Sequence, residues 1–288
     1  MLESMVNPKR LEKGPLKMLF VGIVYASLSL LLVKWFFSGD TVLYEYAGML
    51  VVTFSVLFSL PFMYFLIRNQ EDLDEHVGGF FGVWKMHKDA IFAFMWLFLG
   101  FVIAFSFWNI VLQDENLFNA QIETYCMINN PGSIEDCVSK YSIGELNTDS
   151  LTGSTTNETR FISIISNNIY VMIFTLIFSL IFGAGAIFIL SWNASVIATA
   201  IGIFTKYQIT GIPIGIARYM IHGIPEIAAY FVTALAGGMF GVGILRHGVR
   251  NKIFLRIVEN TVILIFIAMI FLLLAGVIEV YITPFIFG

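Results

Sequence analysis

Long apolar runs parted by short polar breaks set the layout of this 288-residue chain. Apolar residues fill 16–37, 43–67, 90–112, a run from just after Asn167-Asn168 to Trp192, 226–245 and 257–282. A bilayer core takes about twenty helical residues to cross, so each run predicts a spanning helix. Pro61 falls inside the second run, where a membrane helix tolerates it as a kink. The stretch 193–222 differs. Asn193 reads as a helix cap, and 194–204 is too short to span before Thr205, Lys206 and Gln208 interrupt it. Thr210, Gly211 and Pro213 break the chain again. Broken segments at membrane depth persist where protein or a polar cavity covers them. The prediction is an all-α, polytopic transmembrane helix bundle of about six to seven crossings. It has one segment that is broken (a short crossing plus a piece lying along the membrane) or re-entrant, and one exterior loop.

Between the runs, Ser38-Gly39-Asp40 reads as a tight turn, and Glu45 as a solvated residue at the edge of the second span. Residues 68–89 are polar; the acids Glu71, Asp72, Asp74 and Glu75 beside His76 fit a solvated turn better than a cation site. Residues 80–88 read as an aromatic-faced segment flat at the interface. Residues 113–160 form the one large hydrophilic stretch. The chain divides into an N-terminal arm with three spans (1–112), the loop (113–160) and a C-terminal transmembrane region (161–288).

Composition sharpens this picture. Apolar residues make up 58% of the chain and charged ones 12%, about half the charged share of a soluble domain, so the protein is integral to a membrane. The net charge of −4 argues against nucleic acid as a partner. Lys9, Arg10, Lys13 and Lys17 precede the first span and place the N-terminus in the cytoplasm. That makes a multi-pass cell-membrane protein, with the loop outside after three crossings. Two further features of the loop agree. Cys126 and Cys137 are spaced to close a disulfide, which persists in oxidising compartments, although a two-cysteine metal site has the same residues. Asn157-Glu158-Thr159 is a glycosylation sequon. A second basic cluster, Arg246, His247, Arg250 and Lys252, belongs on the cytoplasmic side.

The most informative stretch is 218–245, RYMIHGIPEIAAYFVTALAGGMFGVGIL. Ala229, Thr233, Gly237 and Gly241 recur every fourth place, one stripe on which a second helix can approach closely. Arg218, His222 and Glu226 lie at its start. Gly223 and Pro225 interrupt their four-residue ladder, with Pro225 suited to the first turn of the spanning helix. Glu226 then sits where the helix dipole favours a carboxylate. One reading is structural: an acid that neutralises a helix terminus and pairs with His222 or Arg218. The other is a polar intramembrane site of His222, Glu226 and Glu279, with Arg218, Asn168 and Asn193 around it, that takes a proton, a cation or a lipid head group. Ionisable groups at mid-membrane cost at least roughly 2.5–3.5 kcal/mol, so they are rare without a use. Glu279 lies near the end of the last span, and the two acids are expected at one membrane level in one pocket.

An ordered set of pieces resembles the stage II sporulation protein M family. Asn167-Asn168 opens a glycine-containing span, Asn193 follows it, and His222-Gly223-Ile224-Pro225-Glu226 opens the next. Gly237-Gly238 lies within that span, and Ile278-Glu279 with Pro284 closes the chain. The resemblance covers about 166–284; where the usual pattern has Asn-Gly, this chain has Asn193-Ala194. In endospore formers the family's namesake works in a membrane complex with a peptidoglycan hydrolase. The resemblance therefore implies a component of a membrane complex.

No His-Glu-x-x-His, no nucleotide-binding glycine loop and no serine nucleophile stands in the sequence. The expectation is a non-enzymatic scaffold with no cofactor and no metal. Its partners are membrane lipid and other membrane or cell-envelope proteins, and self-association is compatible. The alternative is a transporter or lipid-handling protein that uses the Glu/His site.

Overall fold

The computed structural model describes residues 15–74, 79–129, 133–142, 157–182, 186–247 and 252–287. Among these residues seven helices are long and apolar enough to cross a membrane. The chain is an all-α bundle: α1 Pro15–Phe37, α2 Thr41–Glu45, α3 Ala47–Asp74, α4 Phe80–Leu112, α5 Asn119–Asn129, α6 Ile134–Ser142, α7 Asn157–Phe182, α8 Ala186–Phe204, α9 Ile212–His247, α10 Lys252–Val277 and α11 Thr283–Phe287. A π-helical turn, Ile278–Ile282, joins the last two. The short α2 is capped by Asp40, whose Oδ1 accepts from the backbone N–H groups of Val42 and Leu43. Glu45 is exposed, as expected.

Side-chain contacts fix the helix directions. Gly22 of α1 meets Gly100 of α4, and Trp108 Nε1 donates to Ser27 Oγ at 2.9 Å. Numbers rise together, so α1 and α4 are parallel. Gly237 and Gly241 of α9 lie against Leu176 and Leu180 of α7, also parallel. Gly243 meets Ile257 while His222 meets Thr283, so α9 and α10 are antiparallel. A chain that crosses seven times requires this alternation. The core centres on α9. In its most apolar stretch 83% of its residues are buried in the protein, against 17% for α7. Phe94 of α4 stacks on Phe231 of α9 with ring centroids 4.8 Å apart.

The helices depart from the sequence expectation at several points. The run 168–192 is not one span: α7 ends at Phe182 and α8 begins at Ala186, with Gly183-Ala184-Gly185 the sequence between them. Asn193 is therefore no cap but a mid-helix residue of α8, its Nδ2 donating to the Ile189 carbonyl at 2.7 Å. Residues 194–204 are the second half of a full-length crossing, 187–204, rather than a short or re-entrant piece. Pro225 opens nothing: α9 starts at Ile212 and continues through it, since neighbouring helices in a membrane can re-satisfy the backbone groups a proline frees.

Connections shift too. The helix α3 runs to Asp74, taking in Glu71, Asp72 and Asp74, while α4 begins at Phe80. Residues 80–88 are thus the first turns of a long helix rather than a separate surface segment. His87, in that stretch, is buried with its Nδ1 2.8 Å from Gln70 Oε1. The arm before residue 15, His76, Gly183 to Gly185 and Gly248 to Asn251 lie outside the described residues.

Candidate functional site

Two features gather at one end of the bundle, termed the cap end: residues 113–142, and the polar ends of α9 and α10. The cap is clamped from its first residues. Asp114 Oδ2 accepts from Lys34 Nζ at 3.1 Å and from Tyr44 Oη at 2.6 Å. Asn119 Nδ2 donates to the Glu45 carbonyl, and Gln121 Nε2 to that of Gly48 at 3.0 Å. Burial first, then the hydrogen bond and charge of Asp114, push the Tyr44 phenol above its usual range. Helices α5 and α6 are joined by the Cys126–Cys137 disulfide, with both cysteines buried. The pair is a disulfide, so the metal alternative falls away. Burial raises the Tyr125 phenol too, followed by the charges of Tyr219 and Tyr141. Tyr125 is thus within electrostatic reach of the first turns of α9. Asn157 is exposed at the first residue of α7, a helix start rather than a loop tip.

With α9 unbroken, Arg218, His222 and Glu226 stand on one helical ladder. Arg218 donates to the Phe287 carbonyl at 3.1 Å, and its guanidinium lies 4.6 Å from the centre of the Phe204 ring. It thereby ties α9 to the end of α11. His222 Nδ1 lies 3.3 Å from Thr283 Oγ1, and that hydroxyl donates to the Ile278 carbonyl at 3.1 Å. A hydroxyl that already donates receives from the imidazole, so Nδ1 carries the proton and Nε2 is the acceptor nitrogen. Glu226 Oε1 accepts from Tyr230 Oη at 3.0 Å; Tyr230 is fully buried, and its phenol requires such an acceptor.

Glu279 sits in the π-helical turn. The Thr283 N–H reaches back five residues to the Ile278 carbonyl. Pro284, lacking an N–H, removes the donor that an α-helical turn would offer Val280. Such turns recur at functional sites. Glu279 lies within electrostatic reach of Glu226, and Arg160 of α7 within reach of both His222 and Glu279. Among the described residues no hydrogen bond joins the two carboxyls, and no group of three His, Cys, Asp or Glu is placed to hold a metal ion.

The structure therefore brings Arg218, His222, Glu226 and Glu279 to one end of α9 and α10. Asn193 lies apart, in the half of α8 nearer the opposite end. Asn168 is buried on α7 and its Oδ1 accepts from Asn167 Nδ2 at 3.4 Å. In the stripe, Ala229 and Thr233 are buried, and a Cβ on Gly237 or Gly241 would meet the carbonyl oxygen of Leu176 or Leu180 at 2.7 and 2.5 Å. Sequence reasoning missed Arg160, Tyr230 as the partner of Glu226, and Thr283. Only Tyr230, one turn on from an acid, left a signal.

This arrangement can be set against known proteins. The family model described as Stage II sporulation protein M matches residues 77–284. The chain belongs to that family. The matched region runs from before α4 to the start of α11, so α4, the cap and the π turn lie inside it, although the sequence resemblance reached back only to about residue 166. Searches of curated proteins and of solved structures give no match.

Proposed function

We propose that this family member is a non-enzymatic component of a membrane complex, and that its disulfide-stapled cap is the surface partners bind. The observation that carries this reading is the clamping of the cap: Lys34, Tyr44 and the carbonyls of Glu45 and Gly48 hold its start, and a disulfide closes it. A surface already held in one conformation loses little entropy on binding. On it Met127 and Ile128, 54% and 59% exposed, stand beside the exposed acids Glu123, Glu135 and Asp136. The basic residues before α1 support a cytoplasmic N-terminus, and on this reading the cap faces the outside of the cell.

Affinity purification from native membranes tests the reading. Met127→Glu with Ile128→Glu should lose the co-purifying cell-envelope protein while the detergent-solubilised chain keeps its thermal midpoint. Retention of the partner at wild-type yield would contradict it. Sidedness is read separately: a cysteine at Gly39, an exposed turn beside the cap, should react with impermeant reagent in intact cells.

A second reading has its own support. The network from Tyr230 through Glu226, with Glu279 near, and from His222 through Thr283 is a set of ionisable groups inside an apolar bundle, the usual mark of a proton, ion or lipid-head-group site. That reading requires Glu226→Gln to abolish function with the cap intact.

A further inference from the structure

The helix α7 is the least buried crossing, and its open face is not uniformly apolar. Ser163, Ser166, Asn167 and Tyr170 are all exposed, at the three- and four-residue spacings of one helical face. Closer to Phe182 the same face carries Ile173, Phe174 and Ile177. The depth of Asn167 decides what this means. The helix α7 ends at Phe182 and α8 begins at Ala186. At about 1.5 Å per residue, a roughly 30 Å core measured from Phe182 reaches outward to about residue 162. Asn167 then lies inside the hydrocarbon, and any tilt takes it deeper.

The neighbouring helix agrees. Gly276 of α10 packs on Ile165 of α7. Farther toward the cap end α10 and the segments after it still expose Val277, Tyr281 and, at 90%, Phe285. The apolar exterior therefore continues beyond the level of Asn167. Asn168, its neighbour, is turned into the bundle; Asn167 is turned out.

A carboxamide offers two donors and two acceptor sites. Among the described residues, Asn167 spends one donor on Asn168 Oδ1, at 3.4 Å, and nothing meets its own Oδ1. Acyl chains cannot satisfy it. We propose that a second copy of this chain does, with α7 packed on the α7 of that copy. Two copies inserted in the same direction are related by an axis along the membrane normal. The same face then meets itself with helices parallel and Asn167 opposite Asn167 at one depth. Amides in that position exchange donor and acceptor reciprocally, and Ser163 and Ser166 let the backbones approach. Arg160, two turns toward the border from Asn167, lies within electrostatic reach of His222 and Glu279 of its own chain.

Disulfide trapping in native membranes tests this. Both native cysteines are already paired with each other, so single cysteines report cleanly. Ser163→Cys and Tyr170→Cys should give a homodimer under mild oxidant, whereas Leu57→Cys, on the exposed face of α3, should not. Adding Asn167→Leu should weaken the dimer by about tenfold, the loss of two intramembrane hydrogen bonds, and Asn167→Gln should recover part of it. Monomer at both α7 positions, an adduct with a different protein, or a dimer indifferent to Asn167→Leu would each overturn the proposal. Glu226→Gln and the cap variants leave this face untouched, so the outcome is independent of the cap reading.

Discussion

Two parallel helix seams hold the bundle together, and they are built differently. In the seam between α1 and α4, one glycine from each helix meets the other: a Cβ on Gly22 would strike the Leu97 carbonyl, and one on Gly100 the Leu19 carbonyl. In the seam between α7 and α9 the glycines come from α9 alone: Gly237 and Gly241 receive the carbonyls of Leu176 and Leu180, and α7 contributes Ser179 beside Gly237. The first seam ends beside Lys34 and Asp114 and so supports the cap. The second ends beneath Glu226 and supports the polar cluster. In both seams an added Cβ strikes a backbone carbonyl; at Gly22 and Gly100 it also meets the Cα of the facing glycine, so that crossing is tight from both sides.

That contrast is easiest to break at its rigid end. Gly100→Leu should cost on the order of 3 kcal/mol or more, the upper range for overpacking, read as loss of folded chain in a detergent melt. Gly241→Ala should cost only ~1 kcal/mol, since alanine's better helix propensity offsets part of the backbone clash. Gly100→Ala on the same melt gives the matched comparison: a loss no larger than that of Gly241→Ala would make the two seams equally stiff. Tyr230→Phe removes the bond to Glu226 and strands the acid, which should cost about 1–2 kcal/mol. Glu226→Gln keeps an acceptor and should cost less, and a double-mutant cycle on the same melt should show coupling. Gly39→Ala is the control: a Cβ there meets nothing within 4 Å, so the melt should move by less than about 0.5 kcal/mol.

The same contrast explains what the sequence could disclose. Four small residues at one spacing announce a seam on α9 alone, before any partner is known. Gly22 and Gly100 are isolated glycines on two separate helices, and nothing local couples them. Apolar periodicity located most of the crossings but not the boundary between α7 and α8, because no polar residue stands in the sequence between Phe182 and Ala186. That error put Asn193 at a cap and Asn167 at the membrane border, whereas both are inside helices. The acids and His222 stood out because charge is rare in a bilayer. Of their partners only Tyr230, one turn on from Glu226, left a signal; nothing local points the Thr283 hydroxyl to His222, and the π turn follows from Pro284 only in context.

The central claim is that partner binding resides in the cap rather than in the polar cluster. The direct measurement is partner yield per chain, quantified by mass spectrometry after purification from native membranes. It compares wild type, Glu226→Gln, and the chain carrying both Cys126→Ser and Cys137→Ser. Full yield is expected for Glu226→Gln, and a severe loss for the unstapled cap. Full yield with the cap unstapled, and loss with Glu226→Gln, would contradict it.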